Sequence, residues 1–343
     1  MDQGLRVGLI TNDQGSDLVD TALLRACGLA TQEVPGGCFC CRFDALLDAS
    51  QQLLSETSPD VLIAEAVGSC TDLAATVTYP LRRLLGDRHT VGPLSVLVDP
   101  IRVRQVLGRE GGATFSDNVR YIYLKQLEEA DVIVIGKRDL LADDEVASLR
   151  VALSTTFPQA EVLAVSARRG DGLHAWFHRI VFAEQRPRRT IDVDYGRYAE
   201  GEAKLGWLNA VISVSASAPV EGDRLVAAFA GMLQLQLAAV PAEVAHLKLV
   251  LYPADDVDGG VAAVNVVRND IVPELGRALG RDVSVARLLV NLRAEAPPDV
   301  LDACLTDALR LASLTIPASF ELEHRESFSP APPRPTHRDA SVV

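Results

Sequence analysis

The first half of the chain alternates short, wholly apolar runs with stretches of helical periodicity. Residues 5–10 read as a strand and 17–26 as a helix, with Leu18, Ala22 and Arg25 on successive turns. Residues 43–54 place Leu46, Leu47, Leu53 and Leu54 at helical spacing. Residues 61–64 and 94–98 read as buried strands. The pattern continues with helix 119–129, strand 132–135, helix 143–155, strand 162–165 and helix 173–182. Strands that are apolar throughout and alternate with helices predict a parallel sheet covered on both faces.

A polar break over 185–190 (Gln-Arg-Pro-Arg-Arg-Thr) separates this half from a second unit. There the predicted strands are 207–214, 247–251, 261–267 and 285–292, and the predicted helices 222–239 and 298–311. That order describes an open α+β sandwich. The expected organisation is a domain over 1–185, a linker over 186–204, an α+β domain over 205–326 and a tail over 327–343. The tail holds Pro330, Pro332, Pro333 and Pro335 and is expected to be disordered.

Composition narrows the function. The chain has 343 residues, 48% hydrophobic and 23% charged, with a formal net charge of -13. Such a surface repels phosphate backbones, so neither nucleic acid nor a membrane surface is an expected partner. No apolar run is long enough to span a bilayer, and the start of the chain shows no signal peptide. A cytoplasmic protein is expected.

Six cysteines are present, and three of them, Cys38, Cys40 and Cys41, fall within four residues. A cytosolic chain of this size rarely uses a disulfide framework, so metal binding or redox chemistry is the reading of the cluster. Gly36 and Gly37 precede it and permit a tight turn through which the sulfurs can converge. Three thiolates make a soft, anionic site suited to Zn²⁺, with Co²⁺ and Ni²⁺ open. A fourth ligand is needed, and Glu33 and Cys70 are the candidates. If Cys70 joins, the metal is coupled to the carboxylate strand end at Glu65. Alternatively, Cys70 is a small buried side chain at a strand end.

Strand 132–135 ends in Gly136-Lys137-Arg138-Asp139. An aspartate there can accept two hydrogen bonds from guanine N1 and N2, while the lysine stem lies along the base. Adenine would leave the carboxylate unpaired. Ser166-Ala167 at the next strand end offers a backbone N–H to guanine O6. Glu65, with Gly68 three residues later, stands where a γ-phosphate and a water-held Mg²⁺ would be sensed.

These segments together resemble the CobW-like metallochaperone GTPases, relatives of the hydrogenase and urease nickel-insertion GTPases. The resemblance runs over about residues 5–185. It is carried by 10–14 (Ile-Thr-Asn-Asp-Gln), Asp20 with Leu23-Leu24, 33–41 (Glu-Val-Pro-Gly-Gly-Cys-Phe-Cys-Cys), 65–68, Val98-Asp99 and 126–139. It implies that Cys38, Cys40 and Cys41 bind a cargo metal, that Asp13 and Glu65 lie near Mg²⁺, and that Lys137 and Asp139 hold guanine. It also implies GTP hydrolysis coupled to metal delivery to a client metalloprotein. The fold class expected is α/β, a P-loop-NTPase-like, mostly parallel sheet with helices on both faces, plus a small α+β C-terminal domain.

Two departures stand out. Gly136 replaces the Asn or other polar residue that usually braces the guanine site. No Gly-x-x-x-x-Gly-Lys-Ser/Thr motif occurs in the sequence. The family places that motif, with its strand and helix, just before a segment like 4–10, so a start site assigned too late is the expected explanation. The strand it would bring normally sits inside the sheet, and without it both neighbouring edges are uncovered. Taken literally, the chain would be a nucleotide-deficient metal-binding or metal-buffering protein. A thiol redox protein is the third reading.

Overall fold

The computed structural model describes residues 4–15, 19–86, 89–111, 115–185, 190–254 and 260–340. The first two residues of the helix expected over 17–26 and most of the polar break at 185–190 fall outside these residues. The chain divides into two compact units. One comprises residues 1–38, 44–67 and 202–332, and the other residues 39–43, 68–201 and 333–343.

In the first unit, β1 (Val7–Asn12) pairs in parallel with β2 (Thr31–Val34) on one side and β3 (Val61–Glu65) on the other. Helices α1 (Val19–Ala26) and α2 (Phe43–Thr57) make the crossovers. The same unit holds a six-stranded antiparallel sheet. Its strands are β7 (Leu205–Glu221), β8 (Glu243–Pro253), β9 (Ala262–Val266), β10 (Glu274–Arg277), β11 (Asp282–Glu295) and β12 (Ser319–Phe328), in the order β10-β9-β8-β11-β7-β12.

Strand periodicity gives this sheet two different faces. Leu208, Ala210, Ile212 and Val214 of β7, with Leu288, Val290 and Leu292 of β11, pack against α9 (Gly222–Ala238) and α10 (Pro298–Thr315). The opposite face mixes apolar and polar groups. Val211, Val250 and Leu289 pack against Val19, Ala22 and Leu23 of α1. On the same side, Asn291 Oδ1 accepts the Val19 amide at the start of α1 at 2.8 Å, and its Nδ2 donates to Asn209 Oδ1 at 3.0 Å. The free amides of a helix start are thereby partly satisfied by a neighbouring sheet.

In the second unit, β4 (Ser95–Val98), β5 (Val132–Ile135) and β6 (Glu161–Ala164) form a parallel sheet in that order. All four residues of β5 are fully buried, as a central parallel strand requires. The surrounding helices are α3 (Tyr79–Leu85), α4 (Pro100–Val106), α5 (Asp117–Glu129), α6 (Asp143–Thr156), α7 (Leu173–Phe182) and α8 (Tyr195–Lys204).

The parallel strands therefore form two sheets of three rather than one. β3 and β4 are each terminal strands, and both carry exposed side chains: Ala64 on β3 and Leu97, 57% exposed, on β4. Among the described residues, β2 and β6 are terminal in the same way, each paired on one side only.

Three segments differ from expectation. Tyr195–Lys204, inside the stretch read as a linker, is a helix, and its Tyr198 is 2% exposed. The start of the stretch read as a tail continues β12 to Phe328. Residues 334–340 are held by hydrogen bonds and ion pairs within the second unit, where Asp339 N donates to Ala75 O at 2.8 Å and Asp339 pairs with Arg83 at 3.0 Å. Backbone bonding of this kind needs no apolar side chains, so composition gave no sign of it.

Phe229 of α9 has no exposed surface and sits in the core between α9, α10 and the antiparallel sheet. Phe229→Ala is expected to lower unfolding free energy by about 3–5 kcal/mol through lost burial and a residual cavity. Urea denaturation followed by circular dichroism reads this directly.

Candidate metal and nucleotide site

The cysteine loop is built by its glycines. Gly36 has φ 76° and Gly37 φ 145°, both in the region that L side chains rarely adopt. The end of β1 grips this turn. Asn12 Nδ2 donates to Val34 O and to Gly37 O, each at 2.7 Å, and the Gly37 amide donates to Asp13 O at 3.4 Å. The chain is thus turned back just before Cys38.

The sulfurs of Cys38, Cys40 and Cys41 all lie within 4.8 Å of one another. Cys40 Sγ and Cys41 Sγ are 3.7 Å apart. Tetrahedral thiolates at the usual Zn–S length of roughly 2.3 Å stand about 3.8 Å apart, so the Cys40–Cys41 spacing suits a shared ion. Cys38 and Cys40 are 5% and 1% exposed, and Cys41 is half-buried. Flanking Phe39 and Phe43 are buried, which keeps the loop dry and strengthens any charge interaction within it.

Neither proposed fourth ligand belongs to this group. Glu33 lies within β2, in register with Thr11 of β1. Cys70 is buried in the second unit, and its carbonyl, like that of Gly68, accepts a 2.8 Å hydrogen bond from Gln126 Nε2.

The guanine-side residues do come together. Lys137 adopts a left-handed conformation at φ 49° where β5 ends, which turns the chain so that Asp139 follows in a short 3₁₀ turn. The Arg138 amide donates to Val165 O at 3.0 Å and ties this turn to the end of β6. A hydrogen bond from Ser166 holds the Asp139 carboxyl below its usual pKa. Lys137 Nζ lies 3.2 Å from Asp99 Oδ2, and Asp99 also caps α4. Ser166 is buried and Ala167 exposed beside it.

The phosphate-side carboxylates look different. Asp13, 7% exposed, is expected near Mg²⁺ but forms a buried ion pair with Arg293 Nη2 from β11. The Asp13 Oδ1 atom accepts the Gln14 amide at 2.7 Å and the Gly15 amide at 3.3 Å. Arg293 stacks over the Trp207 ring at 3.4 Å. Next to this pair, Lys248 of β8 bonds Asp20 of α1 at 2.6 Å. Glu65 lies in the same charge field. Protein crowded around it raises its pKa, Asp20 and Asp13 add to the rise, and Lys248 and Arg293 oppose it. Asp13 thus already has a cation, so the residues as arranged do not fit a Mg²⁺ ion at that carboxylate.

Sequence reasoning missed Arg293, Lys248 and Trp207. A signal was present in β11, where Asn291 and Arg293 stand two residues apart in an otherwise apolar run and so share one face.

The family model described as "CobW/HypB/UreG, nucleotide-binding domain" matches residues 1–164. The match covers a little under half of the chain, which is similar to that family over those residues. A protein of Sinorhizobium sp. named "Zinc chaperone CobW" is 25% identical over 187 residues, covering 49% of this chain and 52% of that protein. The chain therefore spans about half the length of the curated relative it matches. Among solved structures, Zn(II)-bound YjiA GTPase from E. coli aligns over 88% of this chain and 97% of its own, at 14% identity and a TM-score of 0.31. Hydrogenase maturation factor HypB from Archaeoglobus fulgidus aligns over 51% of this chain and 73% of its own, at 18% identity and a TM-score of 0.32. At such scores the fold assignment rests on the family match and on the sheets themselves. No helix among the described residues is long and apolar enough to cross a membrane.

Close to Cys70, Glu129 is 2% exposed and accepts Thr71 Oγ1 at 3.3 Å and the Ala74 amide at 3.1 Å. Burial pushes its pKa from 4.5 up to about 8. A folded-state pKa above the unfolded value means that the contribution to stability is full below the unfolded pKa and is lost as pH rises through the folded one. The melting temperature of the protein should accordingly fall between about pH 5 and pH 8. Glu129→Gln, which keeps an acceptor and cannot ionise, should flatten that fall in a thermal melt series.

Proposed function

We propose that this protein is a metal-binding GTPase of the metallochaperone kind. It takes up a transition metal at Cys38, Cys40 and Cys41, zinc in preference to cobalt or nickel, and delivers it to a client metalloprotein in the cytoplasm. The observation that carries this reading is the convergence of three sulfurs within 4.8 Å of one another, in a segment similar to the nucleotide-binding family. The name of the Sinorhizobium relative supports zinc as cargo.

On the nucleotide side, Asp139 would accept guanine N1–H and N2–H, with Lys137 along the base and the Ser166-Ala167 turn at O6. Glu65 and Gly68 would face the phosphates. Because Asp13 is committed to Arg293, no step is assigned to Mg²⁺ there. Nucleotide binding would act on the segments 11–42 and 65–72, and the bonds from Asn12 and Asp13 to Gly37 give such a change a direct route to the thiolates. The domain over 1–185 would carry nucleotide and metal, and that over 205–326 the recognition of the client.

A second reading, a metal-binding or buffering protein without GTP turnover, is favoured by the Asp13–Arg293 pair, which occupies a carboxylate that hydrolysis would need. Titration of the reduced protein with Zn²⁺ in GTP, in GDP and without nucleotide separates the two. The chaperone reading expects affinities differing roughly 5–150-fold between nucleotide states, with measurable phosphate release. Equal affinities and no phosphate release would leave only the second reading.

Gly136 gives a further check on the guanine site. A Cβ there would meet only Val98 O, at 3.5 Å, an ordinary contact, so a side chain is accommodated. Gly136→Asn should tighten GDP binding by roughly fivefold, about one net hydrogen bond, in a fluorescence titration.

A further inference from the structure

The segment 333–340 lies extended, and its exposure alternates. Pro333, Pro335, His337 and Asp339 are half-buried, while Arg334, Thr336, Arg338 and Ala340 are exposed. Its backbone is bonded to the cysteine loop. The Arg334 amide donates to Cys41 Sγ at 3.2 Å, and the Thr336 amide donates to Cys40 O at 2.8 Å. Between these bonds and the next anchor, the His337 ring meets Phe43 edge-on, with centroids 4.9 Å apart. The anchor is a buried acid. Arg338 Nε donates to Asp72 Oδ2 at 2.8 Å, where Tyr195 Oη also donates at 2.7 Å, and Asp72 has no exposed surface. Asp339 pairs with Arg83 one residue further on.

These contacts fasten one imidazole, on the inward side of a strap, one residue beyond a bond to the cysteine loop. Three thiolates leave a tetrahedral ion one ligand short, and Cys₃His is one of the sets that zinc takes. The other half-buried side chains of the strap are two prolines and an aspartate already paired. We propose that the strap is part of the metal site and that His337, which stands outside the group of converging sulfurs while it rests on Phe43, supplies the fourth ligand by leaving that ring when metal enters. The Arg334 amide, donating to Cys41 Sγ, orients that thiolate for the same ion. The inference rests on the reading of Cys38, Cys40 and Cys41 as a metal site.

Co²⁺ binding to the full reduced chain tests it, read by ligand-field absorption and by competition with a chelator. Wild type is expected to show the intense bands of four-coordinate cobalt with sulfur and nitrogen donors. His337→Phe keeps an aromatic ring against Phe43 but cannot ligate. It should shift those bands and weaken binding by at least roughly tenfold, since even outer partners of metal ligands cost that much. His337→Cys should restore affinity with an all-sulfur spectrum, which a merely packing role would not produce. A His337→Phe protein with wild-type spectrum and affinity would overturn the assignment of His337 and leave the three-thiolate site standing. Wild-type protein that takes up no Co²⁺ or Zn²⁺ would remove the metal site itself.

Discussion

The site depends on a turn that only glycine makes cheaply. At Gly36 and Gly37 the backbone enters the positive-φ region twice in succession, and the chain emerges with Cys38, Cys40 and Cys41 facing one another. A Cβ at either position would cost conformational energy and redirect the sulfurs. The turn does not stand alone. Asn12 and Asp13, at the end of β1, hold it through Gly37, so the geometry of the thiolates is set by the end of that strand.

The surroundings of Asp13 extend this dependence into the antiparallel sheet. Arg293 neutralises Asp13 and is itself held on Trp207. Lys248 and Asp20 form a second pair beside it. Burying charges is costly, and breaking such a pair by removing one partner leaves the other uncompensated. The end of β1 is therefore electrostatically committed to β11, and any ligand that draws Asp13 away must compensate Arg293.

Much of this was legible in the sequence, and the limits have physical causes. The strand over 132–135 and the helix over 173–182 follow directly from an uninterrupted apolar run and a helical period, and the structure places both at those residues. The cysteine loop and the Lys137-to-Asp139 turn were visible as local motifs, because their chemistry is carried by neighbours in sequence. β12 was not visible. Its Glu321, Glu323, His324, Arg325 and Glu326 hide a strand at the edge of a sheet, where exposure removes the apolar signal. The strap at 333–340 was read as disordered because its proline content excludes a core. What holds it is backbone hydrogen bonding to the cysteine loop and two ion pairs, Arg338 with Asp72 and Asp339 with Arg83, and neither kind of contact leaves a mark in composition. The pairing of Asp13 with a residue 280 positions away was hidden for the same reason.

The most direct test of the account is X-ray absorption at the zinc edge of the reduced protein loaded with one equivalent of Zn²⁺. The account predicts at least three sulfur scatterers at about 2.3 Å, with their loss when Cys38, Cys40 and Cys41 are replaced by serine. A first shell of oxygen and nitrogen alone, or a sulfur shell that survives those substitutions, would contradict it.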